Sequence, residues 1–401
     1  MSEPARFTWL IPGLGLLACL GPFSNDLYVP SLSLVAQGLG TDAGSVQLTM
    51  TAVLIGFSVG ALIHGPLADR FGRKPVLCAG LAAYAVAGML AALSEGLGAL
   101  IAARVLQGIS ASAAIVLTRA IVLDRWTGTE ASRVMSWISI FMFIAPVLAP
   151  LLGGYIAAFG YWPAVFWFQA AVGVLALIMT GLFLNRVHSG SGASMLASFR
   201  SYGIVLTDVN LIGYMMCTAC AFIGLIAFVS TSSIVFVSYY GLTPTIQGLC
   251  FSTVMLGAAT GSFFNSRMVS ARGISAMLSF GTSCLGVGGL LVFTACLLEA
   301  SPPVLVATIV VYVFGIGFVF ANTLARMMSH YRQYAAAVSA AFASNQLLLG
   351  AFATIVLSRI STPGLMPLGI SVAISAVLTV AIWWGWLRNS AFTRRASGNA
   401  A

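Results

Sequence analysis

Charge is scarce in this chain. Of 401 residues, 7% are Asp, Glu, Lys or Arg, against about 25% in a typical soluble domain. A soluble fold of this size could not cover its surface with so few. Lysine is nearly missing, with Lys74 alone, and there are 9 acids and 3 histidines (His64, His188, His330). The histidines are scattered and read as edge or loop residues, not as metal ligands. The 18 basic residues give a net charge of +9, but they sit in short gaps between apolar runs and not on one patch, which excludes a nucleic-acid module. Intrinsic disorder is excluded by the high apolar content. The motifs of soluble enzymes are absent too: no P-loop, no G-x-S-x-G, no paired carboxylates and no His-rich cluster in the loops. The chain is therefore read as a non-enzyme without a cofactor. Any uphill transport would draw on an ion gradient. The 7 cysteines all lie inside apolar runs, and the Cys217-x-x-Cys220 pair has no second pair or nearby His. Packing is the expected role, and a secreted disulfide scaffold is excluded. The first apolar run lacks a small-residue cleavage site followed by a polar chain, so it is expected to remain as a membrane helix.

What the chain has instead is apolar sequence: 60% of residues and a mean hydropathy of +1.01. A membrane-spanning helix needs about 20 mostly apolar residues. Runs of that kind lie near 8–36, 46–69, 76–94, 97–121, 131–157 and 162–184. A second set lies near 208–238, 244–268, 274–297, 303–327, 335–359 and 365–387. They are too long and too continuously apolar for barrel strands. The expected fold is an all-α membrane protein of twelve transmembrane helices in two pseudo-symmetric six-helix bundles. Residues 1–186 form the first bundle, 187–207 a polar-leaning cytoplasmic linker, and 208–401 the second bundle with a short tail.

Basic residues set the orientation. With the N-terminus in the cytoplasm, sixteen of the eighteen fall on cytoplasmic edges and loops, from Arg6 to Arg395. Arg359 alone lies opposite, on the side of Asp42, Glu95 and Glu299, and Arg104 lies inside a span. Losing or adding one helix would scatter this pattern. A faint internal echo accompanies the count: Gly65 to Asp69 at the end of the second span has the spacing of Gly261 to Asn265 at the end of the eighth. Two related halves are a common design of secondary transporters.

Two ionisable residues lie within the spans, Asp26 in the first and Arg104 in the fourth. Either charge costs about 2.5–3.5 kcal/mol at a helix centre on translocon scales. Asp26 is followed by roughly ten more residues of span, which leaves it on the order of 15 Å from that surface. Arg104 enters from the same side at comparable depth, so the two are expected to pair across a cavity. Burial favours a neutral acid and a nearby guanidinium favours the carboxylate, so such a site can take up and release a proton as its access alternates. The plainer alternatives are an Asp26 near the outer edge and an Arg104 that snorkels outwards. The string Gly65-Pro-Leu-Ala-Asp69-Arg70-Phe-Gly72-Arg73-Lys74 packs two glycines, one acid and three bases into ten residues. The fifth span carries Pro146, Pro150, Gly153 and Gly154, the pattern of a helix that bends against a close neighbour.

At these residues the sequence resembles the major facilitator superfamily, specifically its twelve-helix drug:proton antiporters. The 65–74 string matches that superfamily's loop motif, and Arg104-x-x-Gln107-Gly108 matches its fourth-helix motif. The run ending Pro150-Leu-Leu-Gly153-Gly154 resembles the fifth-helix antiporter motif, with Ala149 where many members have Gly. Asn25-Asp-Leu-Tyr-Val-Pro30 and Phe264-Asn-Ser-Arg-Met-Val269 point to the bicyclomycin- and chloramphenicol-resistance (Bcr/CflA) branch. The resemblance implies a rocker-switch exporter with a central cavity, in a bacterial inner membrane, moving small amphiphilic drugs out as protons move in. Asp26 would titrate and Arg104 would be its coupling partner, with Tyr28 and Gln107 beside them at the substrate cavity. Gly65, Asp69, Arg70, Gly72, Arg73 and Asp124 would gate the conformational change, the two Asp residues and Arg73 as a charge cluster, and the fifth-helix Pro and Gly residues would join them. Its partners would be a small-molecule substrate, protons and the bilayer, with the chain a monomer. Some multidrug relatives carry a second acid where this chain has Ala18, which turns the expectation away from dicationic drugs. A major facilitator carrier for an amino acid, nucleoside or sugar would share all these motifs except the fifth-helix one.

The charge distribution predicts that reporters fused after Arg200 and after Arg395 both report the cytoplasm. A periplasmic signal from either would break the twelve-helix scheme.

Overall fold

Helix starts are set by local chemistry that the sequence spells out. Asp42 opens the helix Ala43–Phe71 by accepting from the Ser45 amide at 2.8 Å and the Ser45 hydroxyl at 2.5 Å. Those bonds hold its carboxyl below the usual carboxylate range, as expected for an N-cap acid. Asp208 does the same for Val209–Ser233, accepting from the Asn210 and Leu211 amides, while its other oxygen accepts from the Tyr331 hydroxyl at 2.6 Å. Proline stands in the first turn of Pro163–Phe183, Pro244–Leu297, Pro302–His330 and Met366–Val380. No N–H is needed at that place.

The computed structural model describes residues 7–126, 128–184, 203, 207–331, 335–359 and 364–389. Most of the expected 187–207 linker lies outside them, as do Arg6, Arg186, Arg200, Arg332, Arg394 and Arg395. The regular elements among the described residues are all helices. In chain order the helices are α1 (Phe7–Tyr28), α2 (Leu32–Gly38), α3 (Ala43–Phe71), α4 (Arg73–Ala92), α5 (Leu97–Arg125), α6 (Gly128–Ala157) and α7 (Pro163–Phe183). There follow α8 (Val209–Ser233), α9 (Pro244–Leu297), α10 (Pro302–His330), α11 (Ala335–Arg359) and α12 (Met366–Val380). Wider π-type turns extend α8 through Ile234–Tyr239 and α12 through Ala381–Trp386.

Nine of these helices are long and apolar enough to cross a bilayer, and the bent pair α1–α2 makes a tenth. With 54 residues, α9 is too long for one span at 1.5 Å per residue. It is two spans joined at Gly273, whose φ of 78° breaks the helix. The 30-residue α6, with its apolar half Ile144–Ala157, completes the twelve expected spans. The chain divides into two compact units, Met1–Phe199 and Arg200–Ala401. In the first, α3 packs on α5, α4 on α5 and α7, and α1 on α6. In the second, α9 packs on α10 and α12, and α8 on α11 and α12.

Small residues let these backbones approach, as is general between membrane helices. They also fix how the two units correspond. A Cβ on Gly60 would meet the Ile109 carbonyl, and one on Gly261 would run into the Phe314 carbonyl. Gly72 and Gly273, both with positive φ, each break a helix pair. A Cβ on Gly80 would lie 2.6 Å from the Ala113 Cβ, and one on Gly281 2.6 Å from the Phe318 Cβ. Gly88 faces Ala170 as Gly289 faces Ala376. The interval between partners is constant from 60/261 to 88/289. In this register Gly261 answers to Gly60 and not to Gly65, and Asn265 answers to His64 and not to Asp69. The equal spacing seen in the sequence therefore joins positions that are not equivalent, because the glycines are placed by the helix they touch and not by their loop motif. His64 is likewise no edge residue. It is buried, with Nδ1 2.8 Å from the Gly60 carbonyl and 3.0 Å from the Ser112 hydroxyl.

These contacts predict a contrast between two small changes. Gly261→Ala pushes a methyl group into the Phe314 carbonyl and should cost about 1–3 kcal/mol. Gly181→Ala, where nothing lies within 4 Å, should be neutral or gain up to about 1 kcal/mol of helix propensity. Thermal denaturation of the purified protein in detergent measures both, and equal melting temperatures would refute the packing role.

Candidate functional site

The first span is bent by 54° between Leu10–Gly21 and Phe23–Gly38. Pro22 lies at the break and has no N–H to give the helix. Just beyond it, Ser24 bridges the bend by donating its hydroxyl to the Leu20 carbonyl at 2.5 Å, and that hydroxyl also meets the Tyr84 hydroxyl. Asp26 follows half a turn later, 9% exposed, with the Asn25 side chain bonded to it.

Arg104 on α5 is wholly buried. Its guanidinium carbon sits 4.6 Å from the Tyr28 ring centre and 5.6 Å from that of Phe166, so two aromatic faces receive the charge. One nitrogen, Nη1, donates to Gln107 Oε1 at 2.6 Å. The other donors, Nε and Nη2, are without hydrogen-bond partners. Gln107 Nε2 donates to Gln169 Oε1 at 2.7 Å, and Gln169 Nε2 donates to the Ser24 carbonyl at 2.8 Å. The Tyr28 hydroxyl meets Thr49 Oγ1 at 3.0 Å.

The structure thus brings Arg104, Gln107 and Tyr28 together. Among the described residues Asp26 makes no ion pair with Arg104. The helix explains why. Residues two apart do not face each other, so when Tyr28 lies on Arg104, Asp26 is turned to another face of α1.

Three of the residues expected to act in gating, Asp69, Arg73 and Asp124, form a second cluster. Arg73 donates from Nη1 to Asp69 at 2.5 Å and from Nε to Asp124 at 3.0 Å. It stands at the first position of α4, brought there by the positive φ of Gly72. Arg70 is exposed, its guanidinium carbon 5.2 Å from the Phe71 ring centre. Gly65 has open space around it. On α6, Pro146 and Pro150 lie inside the helix, and Pro150, Gly153 and Gly154 are buried. A Cβ on Gly153 would collide with the Leu27 carbonyl, so this glycine sets the contact between α6 and α1 beside Asp26.

Sequence reasoning missed Ser24, Tyr84 and Gln169. The first two are ordinary members of apolar runs. Gln169 alone carried a signal, as an amide between aromatic and small residues in the sixth span. An apolar cavity of about 420 Å³ lies between α1, α6 and α7, lined by Leu17, Leu20, Phe23, Leu148 and Met179 among others. Asp26, Tyr28, Arg104 and Gln107 do not line it.

Comparisons with known proteins agree with this architecture. Residues 14–354 match the model of the Major Facilitator Superfamily. An uncharacterized MFS-type transporter of Bacillus subtilis is 31% identical over 93% of this chain and 94% of its own length. A bicyclomycin resistance protein homolog of Haemophilus influenzae is 28% identical over 94% and 96%, and a chloramphenicol resistance protein of Pseudomonas aeruginosa 30% identical over 87% and 83%. Among solved structures, the xylose transporter of E. coli in a partially occluded inward open conformation has a TM-score of 0.74 at 15% identity, covering 94% of this chain and 98% of that one. A bacterial homolog of the human lysosomal transporter Spinster has a TM-score of 0.73 at 12% identity, covering 99% and 98%. Likeness at such identity speaks for the fold alone. With its twelve spans and these matches, the chain belongs to the Major Facilitator Superfamily and is a multi-pass membrane transporter, not an enzyme.

Proposed function

We propose that this transporter is a proton-coupled exporter of small amphiphilic drugs, working by alternating access in a bacterial inner membrane with both termini in the cytoplasm. Residues 1–186 and 208–401 are the two moving bundles. Relatives named for bicyclomycin and chloramphenicol resistance support the class of substrate. The observation that carries the reading is the state of the two intramembrane charges. Among the described residues Asp26 is buried without a cationic partner, and Arg104 is buried with its Nε–Nη2 edge unfilled.

That edge is the side of a guanidinium that grips a carboxylate with two parallel bonds. A protonated Asp26 carries no charge and tolerates its apolar surroundings. An ionised one is drawn to Arg104, and the proton leaves as the pair forms. In an antiporter drug and proton travel on opposite strokes, so drug binding has to favour the ionised form. Tyr28 and Gln107, buried against Arg104 in this state, would meet the drug with an aromatic face and an amide once Arg104 turns to Asp26. Gly65, Asp69, Arg70, Gly72, Arg73 and Asp124 act in the conformational lock. Pro146, Pro150, Gly153 and Gly154 keep α6 close to α1 and seal against proton leak.

Cells that overexpress the gene and cells that lack it, challenged with chloramphenicol and bicyclomycin, test the substrate class. Unchanged resistance together with altered uptake of an amino acid, nucleoside or sugar would favour a metabolite carrier. Asp26→Asn keeps shape and polarity but fixes the neutral state. It should still bind chloramphenicol and lose at least tenfold of pH-gradient-driven efflux from vesicles. Full export by this variant would place the proton site elsewhere. Asp69→Asn removes one of the two Arg73 pairs and should slow turnover with little change in affinity. Lost affinity at normal exchange rates would remove Asp69 from the lock.

A further inference from the structure

We propose that Gln169 is a positioning residue that ties the state of Arg104 to the bend of α1, and so to the placement of Asp26. The inference rests on the proton-coupled reading above.

Its basis is the direction of the buried hydrogen bonds. A guanidinium can only donate. Arg104 Nη1 therefore requires the oxygen of Gln107, which turns the Gln107 amide nitrogen towards Gln169. Gln169 in turn must present its oxygen to Gln107 and its nitrogen to the Ser24 carbonyl. Every amide in this chain is oriented by the charge at its head, and no member is more than 1% exposed. Water cannot stand in for a missing bond.

The far end is mechanically placed. Ser24 spans the α1 bend, with its hydroxyl on the Leu20 carbonyl before the break and its own carbonyl held by Gln169 beyond it. Two residues further on is Asp26. If Arg104 turns to meet a carboxylate, the Gln107 oxygen loses or shifts its donor, and the change reaches α1 through Gln169.

The C-terminal unit shows the same brace without the charge. In the register of the residues those glycines touch, where Phe314 answers to Ile109, Phe318 to Ala113 and Ala376 to Ala170, Tyr312 answers to Gln107 and Ser375 to Gln169. The Tyr312 hydroxyl donates to the Ala221 carbonyl on α8 at 2.9 Å and lies 2.6 Å from Ser375 Oγ. Ile309, also buried, stands where Arg104 would be. A pair of neutral hydroxyls serves as a brace. An amide chain with a fixed direction, headed by Arg104, can also transmit.

Three variants test this: Gln169→Leu, Gln169→Glu and, as a control on the C-terminal brace, Ser375→Ala. Two readouts apply to the full-length protein. One is hydrogen exchange of the α1 segment around Ser24 in detergent, which needs no substrate. The other is the pH profile of chloramphenicol efflux from vesicles. Gln169→Leu should raise α1 exchange at least tenfold and cut gradient-driven efflux at least tenfold, while bound chloramphenicol changes less than threefold. Gln169→Glu has a donor for the Ser24 carbonyl only when its carboxyl is protonated. It should transport at acidic pH and fail as pH rises, moving the optimum downwards. Ser375→Ala should leave the profile in place. Parental exchange in Gln169→Leu, or an unmoved pH profile in Gln169→Glu, overturns the proposal. If the parent shows no proton-driven efflux but Gln169→Leu still loosens α1, the positioning role stands and the proton-coupled reading fails.

Discussion

A guanidinium removed entirely from water governs the interior of the N-terminal unit. Arg104 cannot shed its proton, so burying it is tolerable only where its surroundings replace hydration. The Tyr28 and Phe166 rings supply faces, and Gln107 supplies one acceptor. Each supporter is then constrained in its turn. Tyr28 is held at Thr49, Gln107 at Gln169, and Gln169 at the backbone of Ser24. Helices α1, α3, α5 and α7 are thereby tied to one charge. Two of its donors remain open, and an open pair of donors around a buried cation is a position from which the unit can change state.

Glycine packing provides the frame in which that charge is held. Gly56, Gly60 and Gly108 bring α3 and α5 into backbone contact, and Gly257, Gly261, Gly315 and Gly317 do so between α9 and α10. Backbones this close resist sliding, because a shift of one residue places a side chain where only hydrogen fits. The two units share this frame and differ in what it carries. Arg104 is answered by Ile309 and His64 by Asn265, so at these two places the N-terminal unit carries an ionisable group where the C-terminal unit has none.

Much of the fold was legible in the chain itself. Span lengths, polar gaps and capping residues such as Asp42 and Asp208 depend on neighbours in sequence, and the helix ends fall within a few residues of expectation. The continuous α9 shows the limit of that reading. Its two spans were counted correctly, but the link at Gly273 is a single backbone reversal and not a loop. The Arg73 pairs with Asp69 and Asp124 were expected only through the family resemblance, since Asp124 lies outside the 65–74 string and no spacing in the chain joins them.

What the sequence determined by itself was which residues lipid would not tolerate without support, since that cost depends on side-chain type and depth. Asp26 and Arg104 stood out on those grounds. Only the tertiary structure decided who provides the support. Arg104 is met by Tyr28 and Phe166, while Asp26 lies apart, because two positions on one helix turn their side chains to different faces. Gln169, Ser24 and Tyr84 were invisible for a related reason. Their importance comes from three-dimensional hydrogen bonds across the sixth, first and third spans. The register between the halves was likewise settled by which glycine touches which helix, a property of contact that no spacing in a single chain encodes.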